Sequence, residues 1–271
     1  MSDIKLRAAV CGVSGRLGRT IAHQLISRGD TMLTGGMVSQ DSVHLGADLG
    51  ELAEKGFLGV EAMVALSDAV ADAEILIDVS APAVTAAVAE RLAERGGVGL
   101  VTGTTGLNDD QQARLEAAAQ SIPVLQASNF SLGVAVVERL VAEAARALSA
   151  DQFDLEIVET HHKRKADSPS GTAISLGKAA AAARGDRFEA VAQFDRPRTG
   201  GSRPMGTIGF AALRGGGVVG EHEARFLSAF EEVTVTHRAF DRFLFARGAV
   251  EAALWLKDRA PGLYSMQDVL G

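Results

Sequence analysis

The sequence predicts an α/β protein in two domains, and three observations carry that expectation. An apolar segment, Ile4-Lys5-Leu6-Arg7-Ala8-Ala9-Val10, runs straight into a glycine-rich turn and a helix-like stretch. From Glu74 to Ala127, short aliphatic runs alternate with longer alanine-rich ones, the mark of βαβ units and a parallel sheet. Past Leu148 the pattern changes to strand-like segments separated by glycines, which fits an α+β arrangement. A chain of 271 residues accommodates two modest domains. The expected division is 1–130 plus 241–271 for a Rossmann-type dinucleotide-binding domain, and 131–240 for the second domain.

Taken in order, the first strand leads to Gly12-Val13-Ser14-Gly15-Arg16-Leu17-Gly18 and then to a helix over Thr20–Ile26. Strand, glycine turn and helix form the dinucleotide-binding arrangement, in which the backbone approaches a pyrophosphate that rests on the helix N-terminus. The spacing is G-x-x-G-x-x-G rather than the commoner G-x-G-x-x-G, so position at the first strand–helix junction carries much of the argument. His23 falls on the helix, where packing is its expected role.

The second strand, Met32–Val38, should end beside the adenosine ribose, where an Asp or Glu binds a 2′-hydroxyl and an Arg suits a 2′-phosphate. Val38-Ser39-Gln40 supplies neither, which leaves Arg16 as the nearest candidate cation and either NADH or NADPH as the cofactor. Strands follow at Glu74–Ser80, Val98–Thr102 and Pro123–Ala127, with helices at Pro82–Arg95 and Asp109–Gln120. Two of these strands end in small or hydroxylated residues, Gly103-Thr104-Thr105-Gly106 and Ser128-Asn129-Phe130-Ser131. Such ends line the ligand crevice of an open α/β sheet.

A helix over Leu132–Leu148 bridges to the second domain. There a strand at Phe153–Val158 precedes the densest chemistry of the chain, the segment from Glu159 to Ala173. His161, His162, Lys163, Arg164 and Lys165 are consecutive in a protein whose formal net charge is −7. Pro169 and Ser170 read as helix-start signals for an alanine-rich helix opening at Thr172. Cations on a loop that feeds a helix N-terminus favour an anion, such as a ligand with more than one carboxylate. A metal is not expected: adjacent histidines point their rings apart, and no cysteine or H-x-x-x-H spacing completes a site.

Beyond it come the loop Arg196–Arg203, where Arg198 and Arg203 are expected to be solvated, and three β-type segments, Thr207–Leu213, Val218–Phe226 and Val233–Thr236. The glycines between them predict antiparallel neighbours, with His222 in a structural role. A final helix, Phe243–Lys257, should pack back on the first domain.

Composition narrows the function classes. With 47% hydrophobic and 23% charged residues the chain can bury a real core. A sequence pI near 5.4 argues against a general nucleic-acid binder. No apolar run reaches membrane-spanning length, so neither nucleic acid nor membrane is an expected partner. The first residues lack a signal-peptide apolar core, and one cysteine, Cys11, cannot make an internal disulfide; both fit a reducing cytoplasm. Cys11 ends a strand and is expected to pack.

Together the motifs resemble the 4-hydroxy-tetrahydrodipicolinate (dihydrodipicolinate) reductase family of lysine and diaminopimelate synthesis. The resemblance runs the full length, and its most specific part is Glu159–Ala173, supported by Gly206-Thr207-Ile208-Gly209-Phe210 and Gly220-Glu221-His222. It implies that His161 is the catalytic acid/base and Lys165 a second proton donor, with His162, Gly171 and Thr172 contacting a small dicarboxylate substrate. Cofactor contacts carry over to Gly12, Gly15, Arg16, Leu17, Gly103, Thr104, Thr105, Ala127 and Phe130, and the same loops add Val13, Ser14, Ser128 and Asn129. The departure is at Val38 and Ser39, where relatives carry an acidic residue followed by arginine. A homotetramer formed through the second domain's sheet is also implied. Two other readings stay open. An aldehyde-type nicotinamide reductase lacks the cysteine nucleophile it would need, and a nucleotide sensor without turnover would have no use for His161 and Lys165.

Overall fold

The glycine-turn strand forms as β1, Leu6–Cys11, in the interior of a seven-stranded parallel sheet in a computed structural model that describes residues 6–195 and 201–271. The chain divides into two compact units, Met1–Ser131 with Phe243–Gly271, and Leu132–Arg242. In unit 1, α1 (Arg16–Ser27) leads to β2 (Thr31–Met37) and then to three short elements, α2 (Leu49–Leu52), β3 (Ala62–Met63) and α3 (Leu66–Ala69). Alternation continues with β4 (Ile75–Asp78), α4 (Pro82–Arg95), β5 (Gly99–Thr102), α5 (Asp109–Ala118) and β6 (Pro123–Gln126). The C-terminal segment adds α9 (Phe243–Leu256), β12 (Gly262–Tyr264) and α10 (Met266–Val269).

Strand order is β12-β6-β5-β4-β1-β2-β3, so the order reverses between β1 and β4. Strands covered on both faces must be apolar throughout, and Ile75, Leu76 and Ile77 are wholly buried. Val88 and Leu92 of α4 and Leu115 of α5 pack one face with Ala9, Leu76, Leu100 and Val124 of the strands. Buried Ile21 and Leu25 of α1, with Ala249, Val250 and Ala253 of α9, belong to the rest of the unit's core. Because all seven strands are parallel, their carboxyl ends lie along one edge, and the β1/β4 reversal is the place where open α/β sheets bind their ligands.

The glycine-containing stretch 41–65 is ordered around one buried carboxylate. Asp48 accepts hydrogen bonds from the backbone N–H groups of Gly50, Glu51, Leu58 and Gly59. β12 is likewise absent from the sequence reading; it extends the sheet beside β6.

Unit 2 contains α6 (Leu132–Ala147), β7 (Asp154–His161), α7 (Gly171–Arg184), α8 (Phe188–Val191), β8 (Ala192–Gln193), β9 (Ile208–Arg214), β10 (Gly220–Leu227) and β11 (Glu232–Ala239). The sheet order is β11-β10-β7-β9-β8. Burial alternates residue by residue along β7 and β10, as a sheet with one covered face requires. Val141 of α6 and Leu176 and Ala180 of α7 pack onto Leu155, Ile157, Ala224 and Phe226.

Two expectations are corrected here. β10 and β11 form an antiparallel pair, but β9 lies parallel to β7 on its far side. The glycine turn after β9 bonds to the end of β7 instead of closing a hairpin: Gly215 N–H donates to the His161 carbonyl, and Lys163 N–H to that of Gly216. Arg203, expected in solvent, is instead held by Asp154, Glu156 and the carbonyls of Leu155 and Thr207. Residues 196–200, including Arg198, lie outside the described residues. No helix among the described residues is long and apolar enough to cross a membrane.

Candidate active site

In unit 1 the glycine turn is built by close backbone contact. Gly12 sits at φ +79°, in the left-handed region, and a Cβ there would stand 2.9 Å from the Val79 carbonyl at the end of β4. A Cβ on Gly18 would stand 2.2 Å from the Gly12 carbonyl oxygen, so the first turn of α1 lies directly on the turn. The helix begins at Arg16, four residues earlier than its apolar pattern shows, with Gly15 as an N-cap lacking any side-chain cap. Gly15 and Arg16 are exposed, and no acidic residue enters the first turn. An uncapped, exposed N-terminus at the strand reversal fits the pyrophosphate of a nicotinamide dinucleotide.

The neighbouring loops are fixed by a residue that motif reading missed. Asp78, wholly buried at the end of β4, accepts from the hydroxyls of Ser80 (2.5 Å), Thr85 (2.6 Å), Thr102 (2.9 Å) and Thr104 (3.1 Å). Thr104 therefore turns its side chain inward, and its backbone is what remains to face a ligand. Phe130 is buried against Gly103, where a Cβ would meet the ring at 2.4 Å, and Ala127 N–H donates to the Thr102 carbonyl. Thr105 and Ser128 are exposed, and Asn129 receives the Ser131 N–H on its side-chain oxygen. Cys11 is buried beside Asp78 on the neighbouring strand, and burial foremost, then the Asp78 charge, pushes its thiol up to about 12, as suits a packing residue. His23 also packs, with Nδ1 on the Ala53 carbonyl and its ring edge-on to Phe243.

At the end of β2, Val38 is buried while Ser39 and Gln40 are exposed. Arg19 is tied to the glycine turn through Nε to the Ser14 carbonyl and contacts His44 Nε2 at 2.9 Å. Leu17 is half-buried, and Val13 is buried beneath the turn.

In unit 2 the candidate residues converge on one carboxylate. β7 runs three residues further than its apolar pattern, so His161 ends a central strand rather than starting a loop. Glu159, wholly buried, accepts from His161 Nδ1 at 2.5 Å and from Arg214 through two nitrogens at 2.8 and 2.7 Å. Its other contact is the Ser170 N–H at 3.1 Å. Burial alone would raise the Glu159 carboxyl, but hydrogen bonds and charge from Arg214 and His161 outweigh it and hold the group below the usual range.

Ser170 is the N-cap of α7, with its hydroxyl accepting from Ala173 N–H. Pro169 thus precedes the cap, and Gly171, not Thr172, opens the helix. Gly171 is exposed, with open space where a side chain would stand, and Thr172 follows half-buried. The Ser170 hydroxyl also meets His222 Nε2 at 3.0 Å, and the His222 and His161 rings pack edge-on with centroids 5.1 Å apart. Burial foremost, then the His161 charge, presses His222 down to about 4, so it stays neutral. His162 is also pushed down, by burial and then by the charges of Arg242 and Arg164, and its buried Nδ1 has no partner among the described residues. Lys165 reaches Asp167 at 2.7 Å, and its N–H closes a turn on the His162 carbonyl.

The comparisons with known proteins agree over both units. The model described as "Dihydrodipicolinate reductase, N-terminus" matches residues 6–130, and "Dihydrodipicolinate reductase, C-terminus" matches 133–270. The chain belongs to the dihydrodipicolinate reductase family. A relative from Methylocella silvestris named 4-hydroxy-tetrahydrodipicolinate reductase is 46% identical, covering 100% of this chain and 98% of its own. Another of that name, from Caulobacter vibrioides, is 43% identical over 98% of this chain and 97% of its own. Among solved structures, a dipicolinate-bound dihydrodipicolinate reductase from Paenisporosarcina sp. TG-14 shares the fold with TM-score 0.77 at 21% identity, covering 97% of this chain and 98% of its own. This family's members are NAD(P)H-dependent oxidoreductases, matching the uncapped glycine turn described above.

Proposed function

We propose that the chain reduces 4-hydroxy-tetrahydrodipicolinate with NADH or NADPH and a proton to tetrahydrodipicolinate, the 4-hydroxyl leaving as water, in lysine and diaminopimelate biosynthesis in the cytoplasm. One observation carries the division of roles: buried Glu159 joins His161 to Ser170, the cap of a helix whose first residue, Gly171, is open. The N-terminus of α7 at Gly171 and Thr172 receives a substrate carboxylate on its backbone and hydroxyl donors, and the helix dipole favours that charge. His162 lies beside His161 and contacts the same substrate. His161 exchanges the proton that follows reduction, a task suited to imidazole near neutral pH. Lys165 gives up Asp167 to offset developing charge and donate a second proton.

The reduced nicotinamide supplies the hydride when bound. The residues that hold the dinucleotide are Gly12 to Leu17 at the turn, Gly103, Thr104 and Thr105 after β5, and Ala127 to Phe130 after β6. A homotetramer assembles through the open face of the second sheet, where Val158, Ala211 and Leu213 lie across β7 and β9 opposite the helices; Leu213 is 56% exposed in the monomer.

The direct test follows the loss of nicotinamide absorbance with substrate generated in situ. Turnover with either cofactor supports the proposal. Tight dinucleotide binding with no turnover would leave a sensor in its place.

A further inference from the structure

We infer that Glu159 is a positioning residue that acts through His161, fixing which ring nitrogen carries the proton and tying that ring to the carboxylate-binding helix end. The inference rests on the roles proposed above for His161 and the α7 N-terminus.

Every hydrogen bond to Glu159 arrives from a donor. One oxygen, Oε2, takes His161 Nδ1 and Arg214 Nη1; the other, Oε1, takes Arg214 Nη2 and the Ser170 N–H. An ionised carboxylate is acceptor-only, so His161 must present Nδ1–H to it. That leaves Nε2 as the atom that takes up or releases a proton. Gly220, at the start of β10, keeps the flank of that atom clear, since a Cβ there would stand 3.0 Å from Nε2. His222 packs against the ring from the neighbouring strand, on the β10 residue directly opposite Glu159. Arg214 keeps the carboxylate paired and orients it through a bidentate fork. Its Nη2 also reaches the Asp167 carbonyl, which joins the loop carrying Lys165 to the same clamp.

The second arm of Glu159 is what distinguishes it from a simple ion-pair partner. By holding Ser170 N–H it sets the distance between the proton-exchanging ring and the first turn of α7. Ring orientation and substrate cradle are therefore fixed by one side chain, and neither can shift without disturbing the other.

Replacement of Glu159 by Gln separates this role from a merely structural one. Arg214 and Ser170 hold the amide oxygen at the Oε1 position, so the amide NH₂ faces His161 and makes Nδ1 an acceptor. The neutral ring is then forced to the Nε2–H form. In ¹⁵N-labelled protein, neutral His161 should carry its proton on Nδ1 in the wild type and on Nε2 in Glu159→Gln. The kcat should fall about 10²–10⁴-fold, as for a misplaced tautomer, while the substrate KM changes less than about threefold. Dinucleotide affinity should stay within about twofold, reporting an intact unit 1.

In a His161→Gln background the same change should cost less than about threefold more, because its route of action is already gone. Glu159→Asp keeps the charge, and should keep the Nδ1–H form and recover at least about tenfold in kcat over Glu159→Gln. An unchanged tautomer in Glu159→Gln, an equal loss in the His161→Gln background, or an Asp variant no better than Gln would each overturn the inference. Absence of turnover in the wild type would instead overturn the proposed function, and the tautomer measurement would still judge Glu159.

Discussion

Each unit is organised around a wholly buried carboxylate, and the two are held by opposite means. Asp78 is surrounded by neutral hydroxyls from Ser80, Thr85, Thr102 and Thr104, whereas Glu159 is clamped by Arg214 and bonded to a histidine. Hydroxyls around Asp78 fix loop backbones, so on the proposed reading cofactor binding in unit 1 falls to backbone N–H groups and to close approach at glycine. Arg214 and Glu159 fix an imidazole ring, so on the proposed reading the proton transfer of unit 2 falls to side chains. A backbone site tolerates side-chain change but not added bulk; a side-chain site behaves the other way round.

The largest expected effect tests the side-chain half. His161→Ala and Lys165→Ala should each lower kcat about 10²–10⁴-fold, with smaller changes in KM, the signature of groups acting in the transition state. Lys165 pairs with an exposed partner, so its removal should cost under about 1 kcal/mol of stability. Steady-state kinetics with a urea unfolding curve checks both statements. A pure KM effect would recast His161 as a binding residue, and full activity in folded Lys165→Ala would remove it from the mechanism.

Next in size is a pH effect peculiar to the histidine-rich side. His222 stands at about 4 when folded, against an ordinary 6.5. Between those values the unfolded chain binds a proton that the folded protein does not, so stability is full above 6.5 and falls as pH drops toward 4. The loss is on the order of 3 kcal/mol. Glu159, held below its ordinary 4.5, begins to lose its contribution only below that value, so the part of the window above 4.5 reports His222 without it. Urea midpoints from pH 7 to 4 should fall more steeply for the wild type than for His222→Gln. Parallel slopes would mean that His222 is solvated enough to charge in place.

A smaller effect tests the backbone half. Gly18→Ala forces a methyl against the Gly12 carbonyl at 2.2 Å, and α1 must move off the turn. The overlap should cost about 1–3 kcal/mol and weaken dinucleotide binding with little change in the substrate KM. Nicotinamide fluorescence titration and thermal unfolding would show it; unaltered binding would mean that the turn does not hold the pyrophosphate.

The same contrast explains what the sequence made legible. A backbone site has a local signature, because glycines must recur where strand meets helix, and the order β1–turn–α1 followed from Gly12, Gly15 and Gly18. The strand–helix alternation from β4 to β6 was visible for the same reason. Asp78 was not, since its four hydroxyl partners are spread over 25 positions with no fixed spacing. Glu159 and His161 are two residues apart and so share one face of β7, but Arg214 and His222 reach them only through the order of the sheet. Element ends moved where tertiary bonds extended them: β7 grew to His161 because β9 pairs with it from Leu155 to His161 and β10 from Asp154 to Thr160. The parallel placement of β9 carried no local mark at all.

The smallest effect concerns the cofactor, where the backbone rule meets its one side-chain decision. A selective 2′-phosphate site needs a placed cation, and a selective 2′-hydroxyl site wants a carboxylate. Val38 turns inward and is 7% exposed, while Ser39 and Gln40 are exposed neutral donors, which discriminate less than charges. Arg19 is committed to Ser14 and His44, leaving Arg16, exposed at the first position of α1, as the cation able to meet a 2′-phosphate. NADH and NADPH should therefore work within about tenfold in kcat/KM, or roughly 1.4 kcal/mol. Arg16→Ala should weaken NADPH use more than NADH use, and the gap should widen at low salt, where a surface charge is less screened. Both cofactors are measured with wild type and Arg16→Ala at two ionic strengths. A strong wild-type preference, or equal losses for both cofactors in the variant, would place cofactor choice on groups other than Arg16.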